Sequence, residues 1–220
     1  MEMLKELRDG FFCKKHFMIR MIAVILAVIM IGFTVSWLIL VDMGTDPCSL
    51  MNIAISDRIG ISLGNWQALF NCILFVIVLI SGARNIGFGT IANTFLVGYS
   101  IDFFSWIWGM VLPEGLFERI TVRIAVLIPA LALFIIAVAV YIVMDMGTSP
   151  FDAIPMIISG RLPKVPFRVV RIAYDSIVTL IAILFGGIPG VVTVIMALAL
   201  GPVIAWVKKI IKEKWDFLDK

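Results

Sequence analysis

Asp42, Thr45 and Asp46 return, 103 positions later, as Asp145, Thr148 and Ser149. The phrases that hold them are VDMGTDPCSL (41–50) and MDMGTSPFDA (144–153), and Met43, Gly44 and Pro47 also recur, as Met146, Gly147 and Pro150. Carboxylates and hydroxyls placed at a break between helices can coordinate a cation or orient a polar solute. The amides of a helix that starts at such a break carry partial positive charge and favour an anionic group. Asn71 and Tyr174 occupy matched positions at the same spacing, and Asp175 follows Tyr174 inside an apolar run. Buried ionisable or amide groups in such runs face a cavity, a partner or an interface. Arg171 stands one helical turn before Asp175, a spacing that favours an ion pair over a proton relay.

These residues must be positioned by an unusually apolar chain. Of its 220 residues, 62% are hydrophobic and 15% charged, with a mean hydropathy of +1.10. Residues 21–41 and 124–144 carry no charge, and 32 uncharged residues separate Asp175 from Lys208. A helix crosses hydrocarbon in about 20 residues, so the sequence predicts a polytopic all-α membrane protein, in contact with membrane lipids. Residues 21–41 are too long for the apolar part of a signal peptide and read as the first transmembrane helix.

The repeat extends beyond the opening phrase. Ser56, Arg58, Gly87, Thr90 and Gly98 match Ser159, Arg161, Gly190, Thr193 and Gly201 at the same offset. The chain divides into a basic segment (1–19), a first transmembrane repeat (20–108), a linker (109–122), a second repeat (123–207) and an amphipathic tail (208–220). Each repeat reads as four helical segments: 20–41, 47–59, 65–82 and 88–108, then 123–144, 150–159, 167–185 and 190–207. The second segment of each is short. If it re-enters, the halves make three crossings each and are inverted; if it crosses, they make four each and are parallel. The placing of Arg58, Arg119, Arg123 and Arg161 favours eight crossings and parallel repeats under the preference of basic loops for the cytoplasm. Lys5, Arg8, Lys14, Lys15 and Arg20 before the first span, and Lys208, Lys209, Lys212 and Lys214 after the last, place both termini in the cytoplasm.

Within each phrase, Gly44 and Gly147 are expected to end a helix in the left-handed conformation. Asp46 and Ser149 are the expected N-caps of the next helix, with Pro47 and Pro150 at its first position. The phrase is a stop followed at once by a start. Broken helices of this kind border solute and ion sites in transporters, and the same pattern also serves as a capped surface turn.

Other chemistry is not indicated. The single histidine, His16, lies on the approach to the first span. Cys13, Cys48 and Cys72 lack metal-ligand or disulfide spacing, and no nucleophile elbow is present. No enzyme activity, cofactor, metal site or nucleic-acid partner is expected; homo-oligomerisation is not readable.

The segments MGTDPCSLMNIAIS, IGISLGNWQALFNCILFVIVLI and NIGFGTIANTFLVGYSIDFF resemble the YitT/YyaS/YczE family of bacterial multipass membrane proteins, most closely its YczE-like branch. Gly44 and Pro47 fit that branch's Gly-x-x-Pro-Trp-Asp phrase, with Cys48 and Ser49 in place of Trp-Asp; Pro150, Phe151 and Asp152 fit it better. Gly60, Ser62 and Gly64 match its Gly-Leu-Ser-x-Gly turn, and Gly87, Gly89 and Thr90 its Gly-x-Gly-Thr segment. The resemblance implies a bacterial cell-membrane, transporter-like protein and carries no substrate or catalytic residue onto a numbered position. Together these readings predict a small-solute or ion permease of the inner membrane. The alternative is a non-transporting scaffold or regulator of another membrane or biosynthetic complex. The candidate solute residues are Asp42, Thr45, Asp46, Asp145, Thr148 and Ser149, followed by Asn71, Tyr174 and Asp175.

Overall fold

The computed structural model describes residues 15–81 and 86–215. Cys13, most of the basic leader, Arg84 and the final residues of the amphipathic tail lie outside the described residues. Among the described residues, eight α-helices and no strand are found: α1 (Phe17–Val41), α2 (Pro47–Ile59), α3 (Leu63–Ile80), α4 (Phe88–Val111), α5 (Ile120–Val143), α6 (Pro150–Arg161), α7 (Phe167–Leu184) and α8 (Val191–Lys214). A short 3-10 turn, Leu116–Glu118, precedes α5. This is the all-α architecture the apolar runs predict.

Five of the helices, α1, α3, α4, α5 and α8, are long and apolar enough to cross a membrane. The protein is therefore a membrane protein. α7 has the length of α3, but Arg168, Arg171 and Asp175 interrupt its apolar surface. α2 and α6, at 13 and 12 residues, rise about 20 and 18 Å, short of a hydrocarbon core of about 30 Å.

Two contacts set the direction of the longest helices. Arg20, near the start of α1, donates from Nη1 to the carbonyl of Met144, just past the end of α5, at 2.9 Å. Asp42, just past the end of α1, meets Arg123 near the start of α5 at 3.9 Å. α1 and α5 thus run antiparallel. These helices are matched by the 103-residue offset, and in parallel repeats they would point the same way, so the sequence preference for parallel halves does not hold. It rested on the charges of single loops, and one arginine at a helix end is a weak topological signal because its long side chain can snorkel.

The remaining helices alternate between an Arg20 end and an Asp42 end. α4 starts at the Arg20 end, where the Gly89 amide donates to the Met146 carbonyl at 2.6 Å. α8 starts at the Asp42 end, where the Val192 amide donates to the Met43 carbonyl at 3.1 Å. α3 runs against α4, because Asp102, in the second half of α4, accepts from the Gly64 amide at the start of α3, at 2.9 Å.

Among the described residues the buried core falls into two larger clusters and a small third one of Val78, Ile86 and Ala153. Val28, Leu38, Ile101, Phe134 and Met196 belong to an apolar cluster built from α1, α4, α5 and α8. Leu50, Met51, Leu74, Phe151 and Val178 form a second cluster, built from α2, α3, α6 and α7. Outward faces are apolar too: Met18, Ile22, Leu26 and Met30 form an exposed i,i+4 row on α1. In a membrane such a row meets lipid rather than water.

Candidate functional site

Each repeated phrase folds as a stop and a start, with one difference from the expected roles. The helix ends on the aspartate itself: Asp42 and Asp145 both have φ of 51°, a left-handed conformation that Asp tolerates better than most residues. Gly44 and Gly147 follow at φ 104° and 110° and complete the reversal. Asp46 then caps α2 by accepting from the Ser49 amide at 3.1 Å. Ser149 caps α6 by accepting from the Asp152 amide at 3.1 Å, and its hydroxyl donates to Asp152 Oδ2 at 2.7 Å. Pro47 and Pro150 open the two helices, where a missing amide leaves no bond unmade.

The starts of α2 and α6 converge on α7. Arg171 donates from Nη1 to Asp152 Oδ1 at 2.5 Å and from Nε to Asp175 Oδ2 at 2.9 Å. Its guanidinium lies over the Phe151 ring, 5.6 Å from the centroid, and Phe151 packs on Tyr174 at 4.9 Å between ring centres. Asp152 and Arg171 are within electrostatic range of Asp46, and Asp46 of Asp175. On α2, Asn52 is fully buried; its amide donates to Cys48 Sγ at 3.4 Å, and its carbonyl oxygen accepts from Trp66 Nε1 of α3 at 3.0 Å.

The depth of this cluster follows from α7. A cleft of about 460 Å³ at the Asp42 end is lined by Asp42, Thr45, Asp57, Arg58 and the Phe185–Ile188 turn, so α7 ends there. At about 1.5 Å per residue, Asp175 lies roughly 15 Å below Phe185. α1 covers about 33 Å between Arg20 and Asp42 by the same measure. The charged cluster therefore sits near half depth, with Asp175 4% exposed and the Arg171 and Asp152 side chains 25% and 40% exposed.

The structure brings Asp46, Ser149, Tyr174 and Asp175 to this cluster. Thr45 is buried beside it, its hydroxyl directed at the Asp46 carbonyl at 3.3 Å. Asp42 and Asp145 are exposed, at opposite ends of the bundle. Thr148 is half-buried, and Asn71 on α3 is 2% exposed. Sequence reasoning saw the Arg171–Asp175 pair but left Asp152 and Arg171 out of the site, together with Asn52 and Trp66. The signal for Asp152 was present: it is the acid of the second copy that has no counterpart in the first, where Ser49 stands.

Comparison with known proteins places the chain at this point. The model of a family of unknown function, DUF6198, matches residues 18–209. The chain belongs to this family. Two bacterial relatives agree with the YyaS-like resemblance. One is uncharacterized protein YyaS of Bacillus subtilis (strain 168), 24% identical over 197 residues, covering 89% of this chain and 94% of the relative. The other is an uncharacterized protein of Haemophilus influenzae (strain Rd), 25% identical over 185 residues, covering 84% and 81%. No solved structure matches the chain. The DUF6198 match begins within α1 and ends within α8, so it takes in both short helices and the whole charged cluster.

Proposed function

We propose that this DUF6198 protein is a small-solute or ion permease of the bacterial cell membrane whose site lies where α2 and α6 begin. The observation that carries the reading is the half-depth cluster of Asp46, Asp152, Arg171 and Asp175, set at the starts of two helices too short to cross. Such interrupted helices at mid-membrane supply exposed amides and irregular backbone where a solute is held.

In this reading the two halves are inverted repeats of three crossings and one re-entrant helix each. The backbone contact that recurs at the 103-residue offset supports it: Gly89 to Met146 is mirrored by Val192 to Met43, and Arg20 and Arg123, matched at that offset, each reach the end of the other half's first helix. A two-fold relation between halves produces such reciprocal pairs. Rocking one half against the other about these joints exposes the cluster to alternate sides. The cleft at Asp42 and Thr45 is the approach from one side, and both termini face the cytoplasm.

A ligand-stabilisation screen in detergent tests the reading, using small amines, carboxylates, amino acids and inorganic ions. At least one probe is expected to raise the melting temperature and to accumulate in vesicles holding the protein, with both effects weakened in Arg171→Lys and lost in Asp152→Asn. A panel in which no probe stabilises the protein or enters the vesicles would favour a scaffold instead.

A further inference from the structure

Two carboxylates, Asp152 and Asp175, hold one guanidinium, Arg171, and a third, Asp46, lies within electrostatic range of it. Their oxygens are not equally provided for. Both oxygens of Asp152 are engaged, Oδ1 by Arg171 and Oδ2 by Ser149. Asp175 is 4% exposed; its Oδ2 accepts from Arg171, whereas Oδ1 is buried without a hydrogen-bond partner among the described residues. Asp46 is alike: its Oδ1 accepts from Ser49, and Oδ2 is buried without a partner among the described residues. Full ionisation would leave two negative charges uncompensated in an apolar setting, which burial strongly disfavours.

Resting on the permease reading, we infer that Asp175 and Asp46 are proton-binding groups and that solute movement is coupled to protons held at Asp175 Oδ1 and Asp46 Oδ2. Each proton adds to a carboxylate oxygen and removes one negative charge; both oxygens of Asp152 are already engaged, by Arg171 and Ser149. The groups that face these carboxylates are Cys48 on α2, Ser149 at the start of α6, Asp152 on α6, and Arg171 and Tyr174 on α7, with Tyr141 of α5 in electrostatic range of Asp152. α3 brings no charged residue. Competition between Arg171 and a proton for Asp175 couples the two events. Protonation frees the guanidinium from Asp175 to meet an anionic solute group, and loss of the proton draws it back.

Infrared spectroscopy of the purified full chain reads protonated carboxyls directly, because surface carboxylates are ionised at neutral pH. Two carboxylic C=O bands are expected at mildly acidic pH that fade on going alkaline, one missing in Asp175→Asn and the other in Asp46→Asn. Asp175→Glu should shift its band rather than remove it, which separates titration from misfolding. The inference is overturned if no carboxylic band appears between mildly acidic and neutral pH, if the bands survive both substitutions, or if they persist unchanged to alkaline pH. Titrating bands in a protein that moves no probe would leave the proton sites standing and sink the permease reading. Uptake without such bands would do the reverse.

Discussion

The amide of Gly89 donates to the carbonyl of Met146 at 2.6 Å, joining the start of α4 to the broken segment after α5. The second joint, Val192 to Met43 at 3.1 Å, links the start of α8 to the broken segment after α1. Each repeated phrase thus does two jobs. Its carbonyl holds a helix start contributed by the other part of the chain, and its downstream cap launches a short helix toward the charged cluster.

These joints leave no room for side chains. A Cβ on Gly147 would lie 2.6 Å from the Gly87 amide nitrogen, at a φ of 110° that disfavours any L side chain; one on Gly190 would strike the Met43 carbonyl oxygen. Gly147→Ala and Gly190→Ala are each expected to cost about 2 kcal/mol or more. Gly160→Ala is the control, since nothing lies within 4 Å of its added methyl. Thermal unfolding in detergent measures the difference, and equal melting temperatures in all three would refute the close packing.

Arg171 holds two carboxylates at once. Replacing it with Gln leaves the buried Asp175 carboxylate without its partner, at a cost of about 1–3 kcal/mol, while Asp152, whose side chain is 40% exposed, loses less. Arg171→Gln/Asp175→Asn should recover part of that loss, because fewer uncompensated charges remain. The double-mutant cycle is read from denaturation midpoints; strict additivity would mean the two residues act independently.

The ion pair of Asp42 with Arg123 behaves differently. The Asp42 side chain is 84% exposed and the pair spans 3.9 Å, so Asp42→Asn is expected to change stability by no more than about 1 kcal/mol. Its melting temperature should stay near that of the wild type while that of Arg171→Gln falls steeply.

Asn52 links α2 to α3 through Trp66. In Asn52→Ala the buried indole N–H loses its acceptor, at a cost of about 1–3 kcal/mol. The emission of Trp66, isolated by comparison with Trp66→Phe, should shift as its hydrogen bond is lost; an unchanged spectrum would place the indole elsewhere.

The direction of the short helices is open to labelling. Cysteines at positions 58 and 161, in a background free of the native thiols, are expected to react with an impermeant reagent from opposite sides of the membrane. Reaction from one side alone at both positions would restore parallel halves.

Much of this was legible in the chain itself. Uncharged runs such as 21–41 determined that the protein is helical and membrane-spanning, because hydrocarbon admits no unpaired backbone. The repeat at 103 positions, the N-caps at Asp46 and Ser149 and the i,i+4 pair of Arg171 with Asp175 were equally local, set by helix geometry over a few residues. The direction of one half against the other was decided only by tertiary structure, since a helix reads the same in its apolar surface whichever way it crosses. So was the meeting of Asp152 with Arg171, 19 residues apart. That contact depends on how α6 folds back beside α7, and packing of two helices across a turn is a property of the assembled bundle rather than of either segment.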